Sequence, residues 1–110
     1  MEDVSLIYTG VSNINPEAQD ERIEMAKESI GRYLKRSGEI TGSEYELRKI
    51  EQVDAYNENE NGEAFLFKLK TFLTGINCHC AENRVFWILF REDKNPKIIY
   101  TNNYFELNQE

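Results

Sequence analysis

Helical spacing of apolar residues fills one stretch of this chain and strand spacing takes over after it, and no other feature narrows the fold as much. Ile23, Ala26, Ile30, Tyr33 and Leu34 recur at steps of three and four, which lines one face of a helix. Asn15-Pro16-Glu17 suits its start, since Asn can cap, Pro is tolerated at the first helical position and Glu complements the positive end of the dipole. The predicted helix runs from there to about Arg36, pairs Glu28 with Arg32 on its exposed side, and stops at Ser37-Gly38.

On either side the pattern is that of strands. Residues 4–8 read as a short first strand closed by Thr9-Gly10. Residues 45–56 form a weakly patterned strand: Tyr45 and Leu47 share a face but Ile50 falls on the other, which calls for a bulge or an edge position. Asn57-Glu58-Asn59-Glu60-Asn61-Gly62 is the clearest turn, because Asn and Gly tolerate positive φ. Phe65, Phe67, Leu69 and Leu73 alternate with Lys68 and Lys70 in the next strand, and residues 75–83 make a connection. Residues 85–90 are apolar on both faces, as a central strand is, so Trp87→Ala is expected to cost ~3–5 kcal/mol. A turn over 92–96 leads to a last strand over 97–105. The expected architecture is α+β: one N-terminal helix packed on a curled antiparallel sheet of about four to five strands, cystatin-like in its order.

At 110 residues, with 2 Pro and no linker composition, the chain is expected to form a single domain over 1–110. Thirteen basic against 20 acidic residues give a net charge of −7, opposed to any nucleic-acid backbone. The surplus is uneven: Glu39, Glu44, Glu46, Glu51, Asp54, Glu58, Glu60 and Glu63 face only Arg48 and Lys49 over positions 39–63. No apolar run approaches the ~20 residues that span a bilayer, and Met1-Glu2-Asp3-Val4 does not open a signal peptide, so no membrane partner and a cytoplasmic location are expected. Cys78 and Cys80, one residue apart, are expected to be free thiols in a reducing compartment.

Cys78-His79-Cys80 is the one reactive cluster. Three consecutive residues converge poorly on one ion, no second His exists, and Glu82 or Asp93 would have to complete the ligand set, so no metal is expected. His79 adjoins both thiols, whereas a catalytic base approaches a nucleophile from elsewhere in the fold. No Gly-rich phosphate loop, nucleophile elbow or zinc-helix motif occurs, so neither an enzyme nor a cofactor is expected. Phe65, Phe67, Trp87 and Tyr100 on neighbouring strands imitate a base-stacking platform, but such platforms sit in basic grooves and core packing explains the rings better.

Further features point to a family. They are the helix over 21–36 with its short terminal turn, Tyr45-Glu46-Leu47, Asn61-Gly62-Glu63-Ala64-Phe65-Leu66-Phe67, Val85-Phe86-Trp87-Ile88-Leu89, and Asp93-Lys94-Asn95-Pro96-Lys97-Ile98-Ile99-Tyr100. On these, the block 19–105 resembles the propeptides of streptopain-type cysteine proteases and the free intracellular inhibitors similar to them. The family's glycines around the hydrophobic strand are replaced here by Asn83-Arg84 and Phe90-Arg91. Gln52-Val53-Asp54-Ala55-Tyr56 also looks like the cystatin hairpin motif, with Asp54 and Tyr56 where Val and Gly are expected. The resemblance implies a non-enzymatic thiol protease inhibitor that occludes the cleft of a papain-like cysteine protease. Its candidate contacts are the two longest polar loops, Asn57, Glu58, Asn59, Glu60, Asn61 and Gly62 in the hairpin and Asn77 and His79 in the 75–83 connection. The alternative is an acidic immunity or phage-encoded inhibitor protein that neutralises a basic nuclease or nucleic-acid enzyme, steered by the 39–63 carboxylates.

Overall fold

The computed structural model of the chain describes residues 8–58, 64–91 and 94–104. One helix, α1 (Glu21–Thr41), follows a first strand β1 (Tyr8–Ile14) and precedes β2 (Tyr45–Glu58), β3 (Ala64–Gly75), β4 (Ala81–Arg91) and β5 (Lys94–Tyr104). The strands form a single five-stranded sheet in the order β1-β2-β3-β4-β5, every pair antiparallel. The helix covers one face of this α+β sheet. Ile23, Ala26, Ile30 and Leu34, all buried, meet Val53, Phe67, Leu69, Leu73, Phe86 and Ile88 of the three inner strands, and the half-buried Tyr33 sets its ring edge-on to Phe86 at 5.8 Å.

The helix begins and ends later than its sequence signals. Asn15 closes a local turn instead, accepting from the Glu17 amide at 3.0 Å. The cap is Asp20, which accepts from the Arg22 amide at 2.8 Å and holds the Arg22 guanidinium through Nε at 3.2 Å and Nη2 at 3.0 Å. The Arg22 side chain keeps the Asp20 carboxyl below the usual aspartate range. The same guanidinium lies 5.5 and 5.2 Å from the ring centres of Phe65 and Phe67, so the cap also fastens the helix to β3. At the far end the left-handed residue is Gly42, with φ of 79° and its amide on Gly38 O at 2.7 Å. Gly38 is therefore inside the helix, and Lys35 and Arg36 are not in its last turn. Arg32 donates to Ser29 Oγ at 3.3 Å in place of the expected pairing with Glu28.

Gly38 is required for contact. A Cβ there would lie 2.5 Å from Glu44 Cγ and 3.2 Å from its Cα, whereas a Cβ on Gly31 would meet nothing. Gly31→Ala is expected to raise stability by about 0.5–1 kcal/mol through helix propensity alone. Gly38→Ala gains the same propensity but overpacks the turn, and should lower stability by up to about 2 kcal/mol. Paired urea melts that moved in the same direction would show the Glu44 backbone yielding freely.

The strands also depart from their expected bounds. Tyr8 lies in β1 and residues 4–7 lie outside the described residues. Thr9-Gly10 does not close this strand, because Gly10 occupies a register shift between Thr9 and Val11. The irregularity expected in β2 is two register shifts, at 47/49 and 50/52, and the strand is interior because β1 pairs beyond it. The motif-like Gln52 to Tyr56 run lies within β2, not in a hairpin. The connection predicted over 75–83 shrinks to residues 76–80. Asn95 and Pro96, expected in a turn, belong to β5, an edge strand where a missing amide is tolerated.

Candidate functional site

The two loops singled out by sequence stand at opposite ends of β3. Asn57 and Glu58 complete β2, while Asn59, Glu60, Asn61 and Gly62 lie outside the described residues. Asn77 and His79 are exposed in the 76–80 connection. Between these ends runs β3, 12 residues long, and eleven steps of ~3.3 Å span roughly 36 Å. Asn57 and Glu58 therefore share no surface with Asn77 and His79.

The 76–80 loop is exposed and firmly held. Gly75 donates its amide to Cys80 O at 2.8 Å, and Ile76 donates to Glu44 O at 2.9 Å. The loop brings the sulfurs of Cys78 and Cys80 together, with Cα atoms 5.3 Å apart, in place of the two separate free thiols expected. The reason is local: the loop folds both sulfurs over Gly75, where a Cβ would collide with each. Among the described residues no group of three His, Cys, Asp or Glu side chains is placed to hold a metal. Ile76 stands 53% exposed on this loop, and Ile40, near the helix terminus, is 79% exposed.

A second surface was missed by the sequence reading. Alternation in β4 turns Phe86, Ile88 and Phe90 toward the helix and Val85, Trp87 and Leu89 to the face it leaves uncovered. There Trp87 packs with the fully buried Leu66, lies 5.7 Å from the Tyr56 ring, and carries Lys68 Nζ 5.4 Å from its own ring centre. Asp54, opposite Lys68 in register, is buried on this face and accepts from Asn13 Nδ2 and, at 2.9 Å, from Gln52 Nε2. Burial, with the Asp54 charge adding to it, pushes the Tyr56 phenol above its ordinary value. Phe65 and Phe67 face the helix while Trp87 and Tyr100 pair on the other face, so the four rings make no common platform. Leu66, out of phase with Phe65 and Phe67, is the signal that could have revealed this cluster.

The geometry defines a class, one helix across a five-stranded antiparallel open sheet. No family model, no curated protein and no solved structure matches the chain. No helix is long and apolar enough to cross a membrane among the described residues.

Proposed function

We propose that this chain is a non-catalytic, cystatin-like inhibitor that occludes the cleft of a papain-like cysteine protease with the 76–80 end of its sheet. The observation that carries the reading is that loop. It is exposed from Ile76 to His79 and yet pinned by two backbone hydrogen bonds. A loop ordered before binding loses little entropy on entering a groove, and Ile76 supplies an apolar tip. Bulges in β2 and between β4 and β5 favour a curled sheet over a flat one, which supports the cystatin-like comparison. Asn57 and Glu58, at the other end of β3, take no part in this contact.

The acidic alternative has weaker geometric support. Of its carboxylates over 39–63, Glu39 belongs to α1, Glu44 precedes β2, Glu46, Glu51 and Glu58 are spread along β2, Asp54 is buried in amide contacts, and Glu60 and Glu63 lie outside the described residues.

An inhibition assay against papain and a streptopain-type protease tests the proposal. The expected result is saturable inhibition that survives raised salt and weakens about tenfold in Ile76→Asp or His79→Ala. No inhibition at about 10 μM, or inhibition abolished by salt, overturns it.

A further inference from the structure

The geometry points to a binding site for a small organic phosphate in the groove between α1 and β5. This groove holds about 340 Å³ and is lined by Ser29, Arg32, Tyr33, Arg36, Lys97 and Ile98, together with Pro96. Arg32 and Arg36 stand one helical turn apart, where like charges repel, while Lys97 borders the groove between Pro96 and Ile98 and shares the other face of the sheet with Leu89. A chain with 20 acidic against 13 basic residues has carboxylates to spare for pairing. Among the described residues, however, neither arginine has an ion-pair partner, and no carboxylate lines the groove.

The other large groove, of about 480 Å³, provides the contrast. It too contains cations, but Glu17 lines it, Lys27 is held by Glu24 at 3.3 Å, and Arg48 by Glu46 at 2.8 Å. Among the described residues, the α1–β5 groove thus gathers positive charge without a carboxylate on an acidic molecule. Two guanidinium groups suit the oxygens of a phosphate, and the Ser29 hydroxyl, which already accepts from Arg32 at 3.3 Å, adds a donor. Tyr33, fixed against Phe86, offers with Pro96 and Ile98 an apolar wall for the body that carries the phosphate. This inference does not rest on protease inhibition and is read without a protease.

Amide resonances of the isotopically labelled full chain, followed during titration with phenyl phosphate, inorganic phosphate and phenol, test it. Amide shifts confined to residues 29–36, 97 and 98 should saturate with phenyl phosphate, saturate at least about threefold more weakly with inorganic phosphate, and not appear with phenol. Arg32→Gln and Arg36→Gln, both at exposed positions, should each weaken binding about tenfold, while Lys49→Gln in the other groove should leave it unchanged. Shifts that fail to saturate, that spread over every cationic surface, or that persist in both groove variants overturn the site. Equal affinity for inorganic and phenyl phosphate overturns the organic ligand and assigns the groove to free phosphate.

Discussion

Replacing Phe86 by Ala lowers the unfolding free energy by about 3–5 kcal/mol. Its ring is fully buried at the centre of the main core, and the edge-on Tyr33 ring 5.8 Å away cannot follow it inward without pulling α1 off the sheet. The void is therefore closed on both sides, by a helix and by paired strands, and the lost transfer energy is joined by the cost of an unfilled cavity. Against a total stability of ~5–15 kcal/mol this leaves a marginal protein at best. Urea unfolding followed by far-UV circular dichroism measures it. A loss below about 1 kcal/mol would mean that α1 can settle onto the sheet and that the core is less tightly fixed than its geometry states.

Trp87→Ala should cost less, about 1.5–3 kcal/mol, although the side chain is larger and only 8% exposed. Trp87 lies on the face that the helix leaves uncovered, shielded by Leu66, Tyr56 and the stem of Lys68. Truncation there opens a hollow that water can enter, so the transfer term remains and most of the cavity term does not. The sequence-based expectation of ~3–5 kcal/mol treated both faces of a central strand as equally covered. A measured loss equal to that of Phe86 would show that the uncovered face is sealed in the folded chain, and would exclude it as an open surface.

Much of the architecture was legible. The helical stripe from Ile23 to Leu34 and the alternation of Phe67, Leu69 and Leu73 both identify their buried faces, because spacing along the chain alone sets which side chains share a face. The order of one helix and successive antiparallel strands follows from the same patterns and from the connections between them. Element ends were less legible. Asn15 and Asp20 are equally good caps in isolation, and Asp20 is chosen because Arg22 ties it to Phe65 and Phe67 across the sheet. Gly38 and Gly42 are equally good stops, and the close approach of Glu44 keeps Gly38 inside the helix.

The candidate surfaces were harder to read. Asn77 and His79 were found as polar loop residues, but the pinning of their loop depends on Glu44, more than thirty positions earlier. The groove that Arg32 and Arg36 share with Pro96 and Ile98 was not foreseen, since it arises where the helix meets the edge strand. By itself, then, the sequence determined which faces are buried, how many elements exist and what sign of charge the molecule carries. Periodicity and composition are properties of the chain and need no partner. Only the tertiary structure decided that Asn57 and Glu58 lie far from Asn77 and His79, that the sulfurs of Cys78 and Cys80 meet, and that Arg32 and Arg36 line a groove without a carboxylate among the described residues, because those outcomes depend on distances between residues that the chain order does not fix.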